Sequence, residues 1–204
     1  MVLGGCGLPT AVRPAPKGVW QPELGFGGPI AKVTSTVHLP LPVSTLGVRT
    51  GITDTLDVSG HVHLTSLVFD VAGLDLGTTW LALEQHGGFP ALAVTGRVYG
   101  FAELQQFAPR AYLELSPAVS WRVNDWLLPY LSASALVQFA GAAPLIAAGG
   151  GAEFRLGAWG LQAEARWYGP NVASRFMAVD WYSVGGMGAW GVVMGVSYRL
   201  GGAQ

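Results

Sequence analysis

The sequence predicts an all-β protein, a closed antiparallel transmembrane β-barrel of about ten strands, with eight or twelve also compatible. Three observations predict it. Half of the 204 residues are hydrophobic and only 11% are charged, where about 25% charged is usual. No stretch reaches the roughly 18 uncharged apolar residues of a spanning helix, because the longest runs, 126–148 and 184–196, are broken by Ser, Gln, Pro or Gly. Finally, the charges keep to one phase of a period-2 pattern, as they do on strands with two unlike faces. The length fits one domain. A formal net charge of −1 without a basic patch gives no support to nucleic-acid binding. The single cysteine excludes an internal disulfide framework and a cysteine zinc site.

The alternation is plainest in the second half of the chain. Ala111, Leu113, Leu115, Pro117, Val119 and Trp121 form one face, and Arg110, Tyr112, Glu114, Ser116, Ser120 and Arg122 the other. After the turn sequence Val123-Asn124-Asp125, Leu127 to Phe139 repeats the pattern, and in Trp159–Tyr168 the split is complete. The same search predicts strands at 19–27, 41–52, 55–66, 73–84, 90–103, 109–122, 126–139, 144–156, 158–168 and 189–200. Glu23, Arg49, Asp57, Asp75, Arg97, Glu103, Arg110, Glu114, Arg122, Glu153, Arg155, Glu164, Arg166 and Arg199 fall on the polar phase. Glu84 is the exception, and Leu81 and Leu83 break the pattern by sharing the phase of Asp75.

A charged inner face and an apolar outer face suit a bilayer, where closure satisfies every backbone hydrogen bond and polar residues line the lumen. The soluble alternative, a lipocalin-like barrel, would put the charges outside and a ligand inside. Connection lengths favour the membrane. Those after the second, fourth, sixth and eighth strands are compact, and 28–40 and 169–188 are long, as expected when short turns and longer loops occupy opposite ends. Aromatics fall into two bands: Trp20, Trp80, Trp121, Phe154, Trp159 and Tyr198 towards the turn end, and Phe26, Trp167 and Trp190 towards the loop end.

Over its length from Val19 the chain resembles bacterial outer-membrane β-barrel proteins. Gly51-Ile52-Thr53-Asp54-Thr55-Leu56-Asp57-Val58 looks like their strand–turn–strand unit, and Gly195-Val196-Ser197-Tyr198-Arg199-Leu200 resembles their C-terminal signal strand. The match departs at Val193, where a polar residue is usual, at Leu200 in place of an aromatic, and in the trailing Gly201–Gln204. The resemblance implies a bacterial outer-membrane location, outer-membrane lipid as surroundings, and the barrel-assembly machinery as a partner in biogenesis. Residues 1–18 are expected to be a processed or tether segment and 19–204 the barrel. Met1–Leu3 is too short for a signal peptide, but Leu3-Gly4-Gly5-Cys6 looks like a lipoprotein cleavage box in which Cys6 would be lipidated; a plain thiol is the other reading. The proline-rich stretch 10–22 reads as an extended tether.

Candidate chemistry is sparse. His61 and His63 share the polar face of the third strand with Asp57, Ser59 and Thr65. Such a pair suits a shared metal or a base beside a hydroxyl in lipid hydrolysis, but hydrogen-bonded lumen histidines account for it with less. No nucleophile–base–orienter set or phosphate-cradling loop is present, so neither catalysis nor a metal or cofactor is expected. The lumen charges Arg49, Asp57, Arg97, Glu103, Arg110, Glu114, Arg122, Glu153, Arg155, Glu164 and Arg166 are expected to pair into a plug. Ala147, Gly149 and Gly151 on the same phase leave room for bulky neighbours or a narrow slot. The sequence therefore predicts a small plugged barrel with a structural, envelope or surface-interaction role. A narrow conduit for a small or lipidic ligand and a barrel lipid hydrolase are the alternatives.

Overall fold

The structure is a computed structural model that describes residues 7–34, 36–139, 144–176, 179–183 and 185–201, the side chains of 175, 176 and 179 excepted. Its strands are β1 (Trp20–Lys32), β2 (His38–Pro40), β3 (Val43–Gly51), β4 (Leu56–His63), β5 (Val71–Leu83), β6 (Ala91–Glu103), β7 (Pro109–Ser120), β8 (Leu127–Gln138), β9 (Leu145–Leu156), β10 (Trp159–Ala173), β11 (Arg175–Phe176), β12 (Val179–Asp180) and β13 (Met187–Tyr198). One helical turn, α1 (Leu64–Leu67), follows β4.

Ten strands form the wall. They run antiparallel in the order β13-β10-β9-β8-β7-β6-β5-β4-β3-β1, and β1 closes the ring by pairing with β13 from Glu23↔Ser197 to Pro29↔Gly191. Closure leaves the wall without an edge strand. The turn between β9 and β10 is Gly157-Ala158, with Gly157 at φ 62°, a conformation that favours glycine. At the opposite end β1 outruns β13, and its last residues, Ile30–Lys32, pair with β2 instead. β11 and β12 make a small separate hairpin.

Each predicted strand has a counterpart, and the differences lie at the ends. The third predicted strand stops at His63, because the chain turns into α1. There the Thr65 hydroxyl donates to the Pro42 carbonyl at 2.6 Å and accepts from Ser44 N–H at 2.8 Å, which takes Thr65 off the strand face. The irregular fourth strand has a local cause. Between Leu81 and Leu83 the register against β6 shifts, with Leu81 opposite Ala93 and Leu83 opposite Leu92. The extra residue turns Leu83 outward and returns Glu84 to the lumen side, where it lines the cavity. The bulge removes the exception.

The segment 7–19 lies inside the barrel. Leu8, Thr10, Ala11, Val12, Ala15 and Val19 are all buried. The stretch read as an extended tether is extended, as its prolines dictate, and it runs along the lumen. It reaches the wall at the turn end, where Lys17 bridges Gly51 and Gly18 N–H donates to the Gly51 carbonyl at 3.0 Å.

Candidate functional site

The wall grips this internal segment through two carboxylates on well-separated strands. Glu164 on β10 is the larger grip. Thr10 N–H donates to it at 3.2 Å and the Thr10 hydroxyl at 3.2 Å; Tyr130 O–H, Ser132 O–H and Arg166 Nε donate at 3.0, 3.4 and 2.8 Å. Arg166 in turn donates to the Leu8 carbonyl at 3.1 Å, and Gln162 Nε2 donates to the Thr10 carbonyl at 2.8 Å. Both backbone groups of Thr10 are thereby satisfied by the wall. The second grip is Asp57 on β4, fully buried, whose Oδ2 accepts Ala15 N–H at 2.8 Å and whose Oδ1 accepts Thr79 N–H at 3.1 Å.

The composition of the segment suits the place. Buried backbone N–H groups need acceptors, and Pro9, Pro14 and Pro16 have none to satisfy. The wall yields space where the segment passes. A Cβ on Gly25 would meet the Gly7 carbonyl at 2.8 Å and Pro9 Cδ at 3.0 Å, and one on Gly195 would meet Pro9 Cγ at 2.6 Å. Gly149 and Gly151 serve the charge cluster in the same way. A Cβ there would lie 2.6 Å from Glu164 Oε1 and 2.9 Å from the Tyr130 hydroxyl.

A second network joins β1, β3, β4, β5 and β6. His61 Nδ1 meets Asp75 Oδ1 at 2.9 Å, His61 Nε2 meets Glu23 Oε2 at 3.2 Å, and His63 Nε2 meets Asp75 Oδ2 at 2.9 Å. Arg97 Nε lies 3.5 Å from Asp75, and Arg49 Nε lies 3.3 Å from Glu23 and 3.6 Å from Asp57. Both ring nitrogens of His61 are engaged by carboxylates, so neither faces a nucleophile as a base. Among the described residues no group of three or more His, Cys, Asp or Glu side chains is arranged to hold a metal ion.

Part of the expected charge network does not assemble. Arg110 is exposed and Glu103 half-buried at the loop end, while Arg122 sits beyond β7 at the turn end. Arg110 and Arg122 share a phase, yet 12 residues of strand separate them by about 40 Å. Phase fixes the face and leaves the height open. Glu114 stands opposite Arg97 in register but accepts its hydrogen bond from Tyr99 O–H rather than from an arginine. Glu153 and Arg155, at 2.7 Å, form a local pair on β9. Cys6 lies outside the described residues. Thr10, Tyr99, Tyr130 and Gln162 were missed by a reading that weighed charges. The available signal was inward-phase glycine facing nothing bulky, at Gly25 and Gly195.

Above the grips, Leu8 packs with Tyr99, Phe101 and Tyr112, with Val71 and Leu136 against them. A second apolar cluster, Ala31, Ala147, Tyr168, Trp181 and Ala189, lies towards the loops. Below the grips the lumen opens into a cavity of about 650 Å³ lined by Arg13, Arg122, Arg155 and Arg199 among others. Among the described residues the lumen is packed with apolar side chains towards the loops and hollow towards the turns.

The exterior decides the surroundings. Leu24, Leu46, Val62, Leu74, Leu76, Val98, Leu115, Leu131, Ile146, Val192 and Met194 are all exposed on the outward phase. Trp159 meets Tyr198 edge-on at 4.8 Å at the turn end, and Trp167 stacks on Trp190 at 5.9 Å at the other. An apolar belt between aromatic rims, on a closed barrel of even strand number, fits lipid. The chain is a small transmembrane β-barrel.

No protein-family model matches this barrel, and no curated protein matches its sequence significantly. Among solved structures, it is similar to the translocator domain of the autotransporter NalP from Neisseria meningitidis, at 11% identity over 89% of this chain and 88% of that one, with a TM-score of 0.46. A NanC porin structure matches at 8% identity over 89% of this chain and all of that one, with a TM-score of 0.49. Ail, the attachment invasion locus protein of Yersinia pestis, matches at 8% identity over 90% and 99%, with a TM-score of 0.30. The fold assignment rests on the closed ladder of strands itself.

Proposed function

We propose that this barrel is a closed, plugged element of the outer membrane, with a structural or surface-interaction role carried by its loop end. One observation carries the reading: residues 7–19 occupy the lumen, held by the buried Glu164–Arg166 pair and by Asp57, with Leu8 sealed among aromatic rings. A buried charge pair is strongly destabilised by loss of one partner, so the segment and the wall support each other. In this reading the compact turns face the periplasm, the belt contacts outer-membrane lipid, and β13 is the strand that the barrel-assembly machinery engages. In this reading His61 is a structural residue of the wall, its ring nitrogens committed to Asp75 and Glu23.

The alternative, a narrow conduit, is favoured only by the cavity at the turn end. Planar-bilayer recording separates the two. The intact chain should show no steady single-channel current, and a variant lacking residues 7–17 should show one. Large, stable currents from the intact protein would refute the plug and support the conduit.

A further inference from the structure

The turn-end cavity has a property that plugging does not require. Its wall carries six arginines, Arg13, Arg49, Arg97, Arg122, Arg155 and Arg199, against the four carboxylates Glu23, Asp54, Glu84 and Glu153. Deep in the lumen the charges are compensated, Arg49 by Glu23 and Asp57 and Arg97 by Asp75. At the mouth Arg155 is paired with Glu153, but among the described residues Arg13 and Arg122 have no such ion pair. Arg13 donates to two neutral oxygens, Ser120 Oγ at 3.1 Å and Gln85 Oε1 at 2.9 Å. Arg122, Arg155 and Glu153 line the same cavity, and Glu153 is already bound by Arg155 at 2.7 Å. Among the described residues no carboxylate lies within 4.0 Å of the Arg13 or Arg122 guanidinium.

Gln85 positions the Arg13 guanidinium and, through its backbone, the Arg122 turn. Gln85 accepts from Arg13 and, at 2.6 Å, from the Arg122 N–H, and its Nε2 donates to the Arg122 carbonyl at 3.3 Å. One side chain thus ties the internal segment to two turns. Guanidiniums that line one cavity mouth repel one another unless an anion sits between them. Their forked donors suit an oxyanion, and a tetrahedral one offers oxygens to several forks at once. We propose that the mouth of the lumen binds a phosphate-bearing small molecule, its phosphate taken by Arg13, Arg122 and Arg155 and the rest of it lying against Gln21 and Ser197. The volume of about 650 Å³ exceeds a bare phosphate and lies within the range of small-molecule sites. Two sources share this chemistry: a dissolved phosphate ester and a phospholipid head group. The site rests on the plug reading in one respect, that the internal segment carries Arg13 to the mouth; single-channel recording tests closure and the titration below tests binding, so the two fail separately.

Isothermal titration of the full chain in phosphate-free maltoside micelles with glycerol 3-phosphate tests this. Saturable binding is expected, with none for glycerol. Arg13→Gln and Arg122→Gln should each weaken it about tenfold or more, the loss of a charge-assisted hydrogen bond, and Arg110→Gln, at the far end, should leave it unchanged. The heat-dependent gel shift of a closed barrel verifies folding of each variant, and Arg155→Gln replaces any that fails. Repeating the titration in phosphatidylglycerol nanodiscs separates the sources: unchanged binding assigns the site to a dissolved ester, and lost binding to the lipid head group. No saturable binding by the intact chain in micelles would overturn the proposal. So would binding that Arg13→Gln and Arg122→Gln leave intact.

Discussion

Two buried charge networks occupy separate parts of the same lumen and do different things. The Glu164 cluster on β10 spends its hydrogen bonds on the internal segment: Thr10 contributes two donors, and Arg166 reaches the Leu8 carbonyl. The Asp75 carboxylate itself contacts the wall, taking His61 and His63 from β4 and facing Arg97 on β6. Both bury a carboxylate completely beside a buried arginine. The difference lies in what the remaining lone pairs contact. A wall-to-wall network fixes strand register, whereas a wall-to-segment network fixes the plug.

The sharpest way to break this comparison is Glu164→Ala. It removes the carboxylate beside buried Arg166 and the partner of five donors at once, and should cost about 3–5 kcal/mol. Urea unfolding in micelles should show that loss, and planar bilayers should show a leak; a silent, fully stable variant would mean the segment is held elsewhere. An exterior substitution supplies the scale. Leu131→Arg, mid-strand on the lipid face and 57% exposed, should cost about 2–4 kcal/mol on folding into lipid vesicles and leave the plug in place. An unimpaired variant would mean the two faces are inverted. Asp75→Asn keeps the shape and removes the charge, and should cost about 1–3 kcal/mol with the bilayer still silent; a leak here would erase the distinction between the two networks. The smallest effect is expected from Tyr99→Phe, which removes one hydrogen bond to Glu114, at about 1 kcal/mol in the same urea titration.

The legible part of this protein was periodic. Alternation along 111–121 or 159–167 states which side chains share a face, because successive strand residues point to opposite sides. The segregated charges state which face avoids lipid. Even the fourth strand carried its own flag: Leu81, Leu83 and Glu84 broke the pattern where a bulge adds one residue. The site was less legible. Arg110, Glu103 and Arg122 were on the right face and at the wrong height to join Arg97, since pairing along the barrel axis is set by register between strands. The segment 7–19 gave a local reading, extended and proline-rich, without a location.

The sequence by itself determined a closed barrel of about ten strands, its lipid-facing residues and its lumen-facing charges, because a two-residue period and the cost of charge in hydrocarbon act residue by residue. Only the tertiary structure decided which charges meet, that Pro9 passes the sockets at Gly25 and Gly195, and that Thr10 and Ala15 rest on Glu164 and Asp57. Those contacts join residues 154 and 42 positions apart in the chain. They depend on closure of the ring, which no local pattern encodes.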